Sequence, residues 1–166
     1  RWNWSTQIAR AWRITGNDSY INHLNNWIKD WCKNNPVNYG LNWMCGQEAS
    51  IRLINALITW QIVYKNQINK NSYYIKEFII SHLERISKTI LYAESQDNNH
   101  WVSEASALFI GGIWLERFTD KKNKGKFYER KGRIHLERSI RRLIMEDGTF
   151  SQYSVNYHRF LVDTIT

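Results

Sequence analysis

The stretch HWVSEASALFIGGIWLERF, from His100 to Phe118, is apolar around most of its circumference when wound as an α-helix. A helix without a wet side is a buried one, and its neighbours in the chain carry patterns suited to covering it. Upstream, Ile75, Phe78, Ile79, Leu83, Ile86, Ile90 and Leu91 form an apolar stripe at helical spacing, and a break at Gln96 to Asn99 follows. Downstream, a segment from about Gly125 to Met145 is amphipathic and very basic outside. Asp147 and Gly148 make a turn there, and a seventh helix begins near Ser154.

Towards the start of the chain, Ala49, Leu53, Ala56, Leu57, Trp60 and Val63 stay in register on a long third helix, which a loop through Gly40 precedes and a polar stretch from Asn66 to Ser72 follows. A second helix carries Tyr20, Ile21, Leu24, Trp27, Ile28 and Trp31, stops at Asn34, Asn35 and Pro36, and can be capped by Asn17 or Asp18. A first, from about Ser5 to Ile14, shows Ile8, Ala11 and Trp12 on one face and ends at Gly16. Strand alternation is nearly absent. The expected fold is all-α: one unit over residues 1–166, without an internal boundary, built from antiparallel helical hairpins as a bundle or a toroid.

At 166 residues, with 43% hydrophobic and 23% charged side chains, the chain can bury a core and does not have the composition of a disordered protein. Its 9 Trp and 9 Tyr either fill that core or line a groove that stacks on flat ligands; composition does not choose. A net charge of +8 favours anionic partners, whether nucleic acid, an acidic membrane surface or an acidic polysaccharide. Much of that charge lies between Lys121 and Arg142, a kind of run that is ordinarily the wet face of a helix. Cys32 and Cys45 make neither a disulfide framework nor a zinc site, and Cys32 reads as a small core residue. The longest apolar run, Ala105 to Leu115, is too short to span a membrane. The chain opens at Arg1 on a helix and stops at Thr166 inside an apolar-periodic segment, so both ends are expected to continue into a longer protein, on which any export signal would lie.

Polar residues gather at three helix starts. The first cluster is Gly40-Leu41-Asn42-Trp43 with Gln47, Glu48 and Arg52; Glu48 and Arg52, four apart, can pair, and Asn42 and Trp43 are candidates for the surface of a groove. The second is Asp97-Asn98-Asn99-His100-Trp101 with Glu104. There Asn99 either caps the helix or projects its amide into a ligand site. The third runs from Asp147 to Phe160 and sets Tyr157 beside His158 at the start of a helix. Trp43, Trp101 and Tyr153 sit beside these clusters, either as sugar-stacking surfaces or as packing aromatics.

Taken in order, these clusters resemble the N-terminal helical domain of the heparinase II/III family of polysaccharide lyases. The resemblance is carried by Ala9-Arg10-Ala11-Trp12, Thr15-Gly16-Asn17, Trp27 to Pro36, Gly40 to Trp43, Glu48 to Arg52, Asn99-His100 with Glu104-Ala105, Asp147 to Phe150, Gln152, Ser154 and Tyr157-His158-Arg159. It implies an incomplete α/α toroid, here a fragment without the β-sandwich region that follows in the family. It also implies cleavage of a uronate-containing polysaccharide by β-elimination, with Asn99, Tyr157 and His158 as the catalytic positions and no cofactor or metal. A further family histidine belongs to the β-rich part beyond Thr166, so the isolated piece is expected to be inactive. The implied partner is an acidic polysaccharide rather than nucleic acid or membrane, and the implied place of action is periplasmic or secreted.

The residue types suit that chemistry. The uronate C5 proton is poorly acidic because the adjoining carboxylate is already negative, so a site must first hydrogen-bond or neutralise that group. The amide of Asn99 can do so, with His100 or Arg52 assisting. Tyr157, with a reference pKa of about 10, needs nearby donors or positive charge to act as base, and it can also protonate the leaving oxygen; His158, near 6.5, is a more natural base. Asn42, Trp43, His100, Trp101, Glu104 and Tyr153 complete the candidate substrate-binding set. Two other readings stay open: a non-catalytic carbohydrate binder or scaffold of the same fold, and a basic helical nucleic-acid binder using the Lys121–Arg142 face.

Overall fold

The computed structural model describes residues 1–63 and 73–165. The polar break expected from Asn66 to Ser72 lies outside the described residues. Among those described there are seven α-helices, one 3-10 turn and no strand, so the chain is all-α. The helices are α1 (Asn3–Thr15), α2 (Ser19–Asn34), α3 (Gly46–Val63), α4 (Tyr73–Ser95), α5 (Asn99–Phe118), α6 (Lys122–Leu143) and α7 (Val155–Ile165), and the 3-10 turn is Leu41–Trp43. No described helix is long and apolar enough to cross a membrane. The chain divides into two compact units, Arg1–His82 and Leu83–Thr166, with α4 running through both.

In the first unit, α3 buries Ala49, Leu53, Ala56, Leu57, Trp60 and Val63, the register that its apolar spacing dictates. Against it lies α1, whose buried face is not the expected Ile8, Ala11 and Trp12 but the small residues Ser5, Thr6 and Ala9. Small side chains let the two helices approach closely, and Ser5 Oγ meets Thr59 Oγ1 at 2.9 Å across the contact. Gly16 ends α1 in the left-handed region (φ 66°), as a helix-terminating glycine does. Both candidates at the start of α2 are used, differently: Asn17 Oδ1 accepts from the Ser19 N–H at 3.0 Å, while Asp18 accepts from Trp12 Nε1 at 3.2 Å. Only Leu24 and Ile28 of the α2 stripe are fully buried, and Trp27 is exposed. Cys32 is half-buried rather than core, and burial pushes its thiol up to about 11.

In the second unit, α5 is buried continuously from Trp101 to Leu108, in keeping with its all-round apolar sequence. Its main partner is α6, which turns Gly125, Tyr128, Gly132, His135, Ser139 and Leu143 inward at spacings of three and four. Glycine is required at three points of this crossing. A Cβ on Gly132 would meet the Phe109 backbone nitrogen and stand 2.8 Å from Ala105 O; one on Gly125 would stand 2.5 Å from the Glu116 nitrogen; one on Gly112 would meet the backbone of Glu129. The helices therefore touch backbone to backbone.

The outer side of α6 is basic but extensively paired: Lys124 with Glu84, Lys126 with Glu116 at 3.9 Å, Arg133 with Glu129 at 2.6 Å, Arg138 with Glu94 and Arg142 with Asp97 at 3.1 Å. Leu91, expected in the α4 stripe, is 69% exposed. Ile90, expected in the same stripe, is buried with Ala93, and Leu91 turns away because adjacent residues on a helix point about 100° apart. After α6 the chain reverses through Asp147-Gly148-Thr149. Asp147 Oδ1 accepts from the Thr149 N–H at 2.9 Å, and Ile144 and Phe150 form an antiparallel bridge.

Candidate functional site

The first cluster is an anchoring device. Arg52 projects from α3 into an aromatic nest in the first unit, its guanidinium 5.6 Å from the Trp31 ring, donating Nη2–H to Asn42 O and Nε–H to His82 Nε2 at 3.3 Å. His82 in turn donates from Nδ1 to Phe78 O at 2.7 Å, which assigns its proton to Nδ1 and leaves Nε2 as the acceptor. It stacks on Phe78 with centroids 3.9 Å apart, and Trp43 stands 4.5 Å away. Burial and the neighbouring Arg52 charge hold His82 down to about 3, so it is neutral at ordinary pH. Burial also lowers the Arg52 pKa, an effect that Glu48 partly offsets.

Two expectations change here. The Glu48–Arg52 pair does not form: Glu48 takes Arg1 at 3.0 Å, and Arg52 is committed to the Asn42 loop and His82. Trp43, expected on a groove surface, is buried, and its indole nitrogen donates to Asn35 O at 3.2 Å. An indole packed on all sides has no face to offer a sugar. Asn42 stays exposed at the loop, its side chain donating to Asn35 Oδ1.

The second cluster lies at the start of α5. Asn98, not Asn99, is the cap: its Oδ1 accepts from the His100 N–H at 2.9 Å. That relieves Asn99 of the capping role. Asn99 is 4% exposed, its backbone N–H donates to Gln152 Oε1 at 3.0 Å, and its side-chain amide makes no hydrogen bond among the described residues. Trp101 is buried and donates Nε1–H to His135 Nδ1 at 3.2 Å, so it too is a packing indole more than a stacking platform. With Nδ1 accepting and burial lowering its pKa, His135 is neutral; its 3.4 Å approach to Glu94 is therefore a proximity rather than a salt bridge.

Glu104, one turn beyond His100, is almost wholly buried, and its Oε2 has no hydrogen-bond partner among the described residues. Burial pushes its carboxyl up to about 8, against the pull of Arg85. The unfolded chain loses this proton near 4.5 while the folded chain keeps it to about 8, so the folded state binds more protons between those values and stability falls as pH rises through that window. Buried neutral His82 and His135 act in the opposite sense over part of that window, so the comparison is with Glu104→Gln: chemical denaturation at pH 5.5 and pH 8 is expected to show the wild type losing more stability than the variant, by on the order of a few kcal/mol. The same change in stability between the two pH values in wild type and Glu104→Gln would mean that Glu104 is ionised against Arg85.

The third cluster follows the Asp147 turn. Tyr153 is fully exposed, Tyr157 is 46% exposed and His158 is half-buried, while Arg159 faces Asp163 at 3.8 Å. The Asn99–Gln152 bond and the packing of α5 on α7 bring the second and third clusters together in the second unit. No side-chain hydrogen bond joins Asn99 to Tyr157 or His158 among the described residues. Asn42, Trp43 and Arg52 belong to the first unit. Among the described residues, no three His, Cys, Asp or Glu side chains are grouped so as to hold a metal ion.

Sequence reasoning passed over His82 and His135, and it quoted Gln152 without giving it a role. A signal existed for the two histidines: each falls in the buried register of its helix, His82 four residues after Phe78 and His135 three after Gly132.

Residues 1–166 match the family model described as Heparinase II/III N-terminus. The chain is 26% identical over 160 residues to a heparin-sulfate lyase of Bacteroides thetaiotaomicron, an alignment covering 95% of this chain and 22% of that protein. The chain thus spans about a fifth of the length of that curated relative. No solved structure matches it. With the whole of its length matched by that one family model, the chain belongs to the heparinase II/III N-terminal family.

Proposed function

We propose that this chain forms the helical part of a polysaccharide lyase that cleaves a uronate-containing polysaccharide by β-elimination. The observation that carries the reading is the joint between the second and third clusters. Gln152, from the turn before α7, accepts the Asn99 N–H and so couples the element bearing Asn99 to the one bearing Tyr157 and His158. Asn99, relieved of capping by Asn98, has an amide available to donate to the uronate carboxyl as charge builds on it. Tyr157 or His158 takes the C5 proton, and the same pair returns a proton to the leaving oxygen. Electrons from the broken C5–H bond form the C4–C5 double bond as the C4–O bond breaks, so no oxidant enters the balance. In the second unit, His100 and exposed Tyr153 are proposed saccharide contacts, with buried Trp101 and Glu104 behind the surface; in the first unit, taken by itself, exposed Asn42 is a proposed contact, on a loop that Arg52 and Trp43 hold in place.

The test uses the intact protein with a panel of uronate polysaccharides, following the ultraviolet absorbance of the unsaturated uronate product. Appearance of that product on at least one polymer is expected. Polymer binding without any product, across the panel, would sink the lyase reading in favour of a non-catalytic carbohydrate binder.

A further inference from the structure

A cleft on the second unit, about 520 Å3, is not lined by Asn99, Tyr157 or His158. Its walls are Glu94 from the end of α4, Asp97 and Trp101 around the start of α5, and Arg138, Arg141 and Arg142 from the end of α6. Spacings of three and four set the three arginines on one side of α6. Two are already oriented: Arg138 pairs with Glu94 and lies 5.8 Å from the Trp101 ring, and Arg142 donates Nη2–H to Asp97 Oδ2 at 3.1 Å. Arg141 is exposed and has no acidic partner among the described residues. Two carboxylates against three guanidinium groups leave the cleft one positive charge in excess, and the first turn of α5 adds the positive end of its dipole.

We propose that this cleft seats an oxyanion of an acidic saccharide, a sulfate or a carboxylate, with Arg141 as its principal ligand and the remaining donors of Arg138 and Arg142 beside it. Guanidinium groups held in place by their own carboxylates present unused N–H donors in a fixed fork, the geometry that oxyanions accept. The saccharide identity rests on the polysaccharide-lyase reading; the anion chemistry does not.

Arg141 is a clean probe, because replacing it breaks no ion pair. Calorimetry on the intact protein in a Tyr157→Phe background, which keeps turnover out of the measurement, would compare a sulfated uronate oligosaccharide with its desulfated counterpart. Arg141→Gln is expected to weaken the sulfated ligand about tenfold, the loss of one charged hydrogen-bonding group. Arg130→Gln, which removes the same charge from an exposed position outside the cleft, is expected to leave affinity unchanged. An equal loss on the desulfated ligand would name the carboxylate as the seated group, and a loss confined to the sulfated one would name the sulfate. The proposal is overturned if Arg141→Gln binds both ligands as tightly as its parent, or if Arg130→Gln weakens them as much. Because the readout is binding, such a result would leave the lyase reading standing, and a missing product signal would leave this cleft standing.

Discussion

Tyr157→Phe in the intact protein is expected to cut the rate of uronate-polysaccharide cleavage by roughly 10²–10⁴-fold, the range for removing a positioned general acid or base. Its thermal unfolding is expected to stay where it was. The ring is 46% exposed and its hydroxyl makes no hydrogen bond among the described residues, so the substitution leaves no buried group unsatisfied. That combination makes the variant informative, since a loss of activity could not be assigned to a loss of fold. Asn99→Ala is a poorer probe, because Asn99 is buried at the start of α5 and its replacement can disturb the helix as well as the chemistry. A Tyr157→Phe protein that turns over at the parent rate would remove Tyr157 from the mechanism and leave His158 as the candidate for both proton transfers.

Gly132→Ala is the change expected to cost most in stability. The added methyl would meet the Phe109 nitrogen and stand 2.8 Å from Ala105 O, and neither obstacle is a side chain that can swing away. Relief requires α5 and α6 to move apart along a contact that buries Trp101 to Leu108. Overpacking of this kind costs about 3 kcal/mol, which for a protein of this size lowers Tm by roughly 6–12 °C. Gly148→Ala is the matched control. At φ 81° with open space around it, that position should lose only about 1–2 kcal/mol, through backbone conformation alone. Equal losses in the two variants would mean that the helix crossing yields more readily than its geometry implies.

Much of the helical layout was legible because its signals are local. The α3 register from Ala49 to Val63, the burial of α5 from Trp101 to Leu108, the stop at Gly16 and the turn at Gly148 follow from apolar spacing and from where glycine punctuates the chain. What escaped depends on partners distant in sequence. The inward faces of α1 and α6 are built from Ser5, Thr6, Ala9, Gly125 and Gly132, which a search for greasy stripes ranks low although close helix approach demands them. Glu48 and Arg52 have the spacing of a pair, but Arg1, ahead of α1, and His82, on α4, reach them instead. Trp43 and Trp101 read equally well as groove or core until burial decides for core. At the candidate site, the clusters were visible, whereas the division of labour between Asn98 and Asn99, and the Gln152 contact between clusters, needed coordinates.

The glycine-lined crossing of α5 and α6 also bears on how water reaches the second unit. Where backbone lies on backbone, no rotamer change can open a path to the amides beneath, so small fluctuations expose nothing. In deuterium, the amides near residues 105–112 and 125–132 are expected to exchange last, and only through collective opening of the unit. Their protection would then report the free energy of that opening directly.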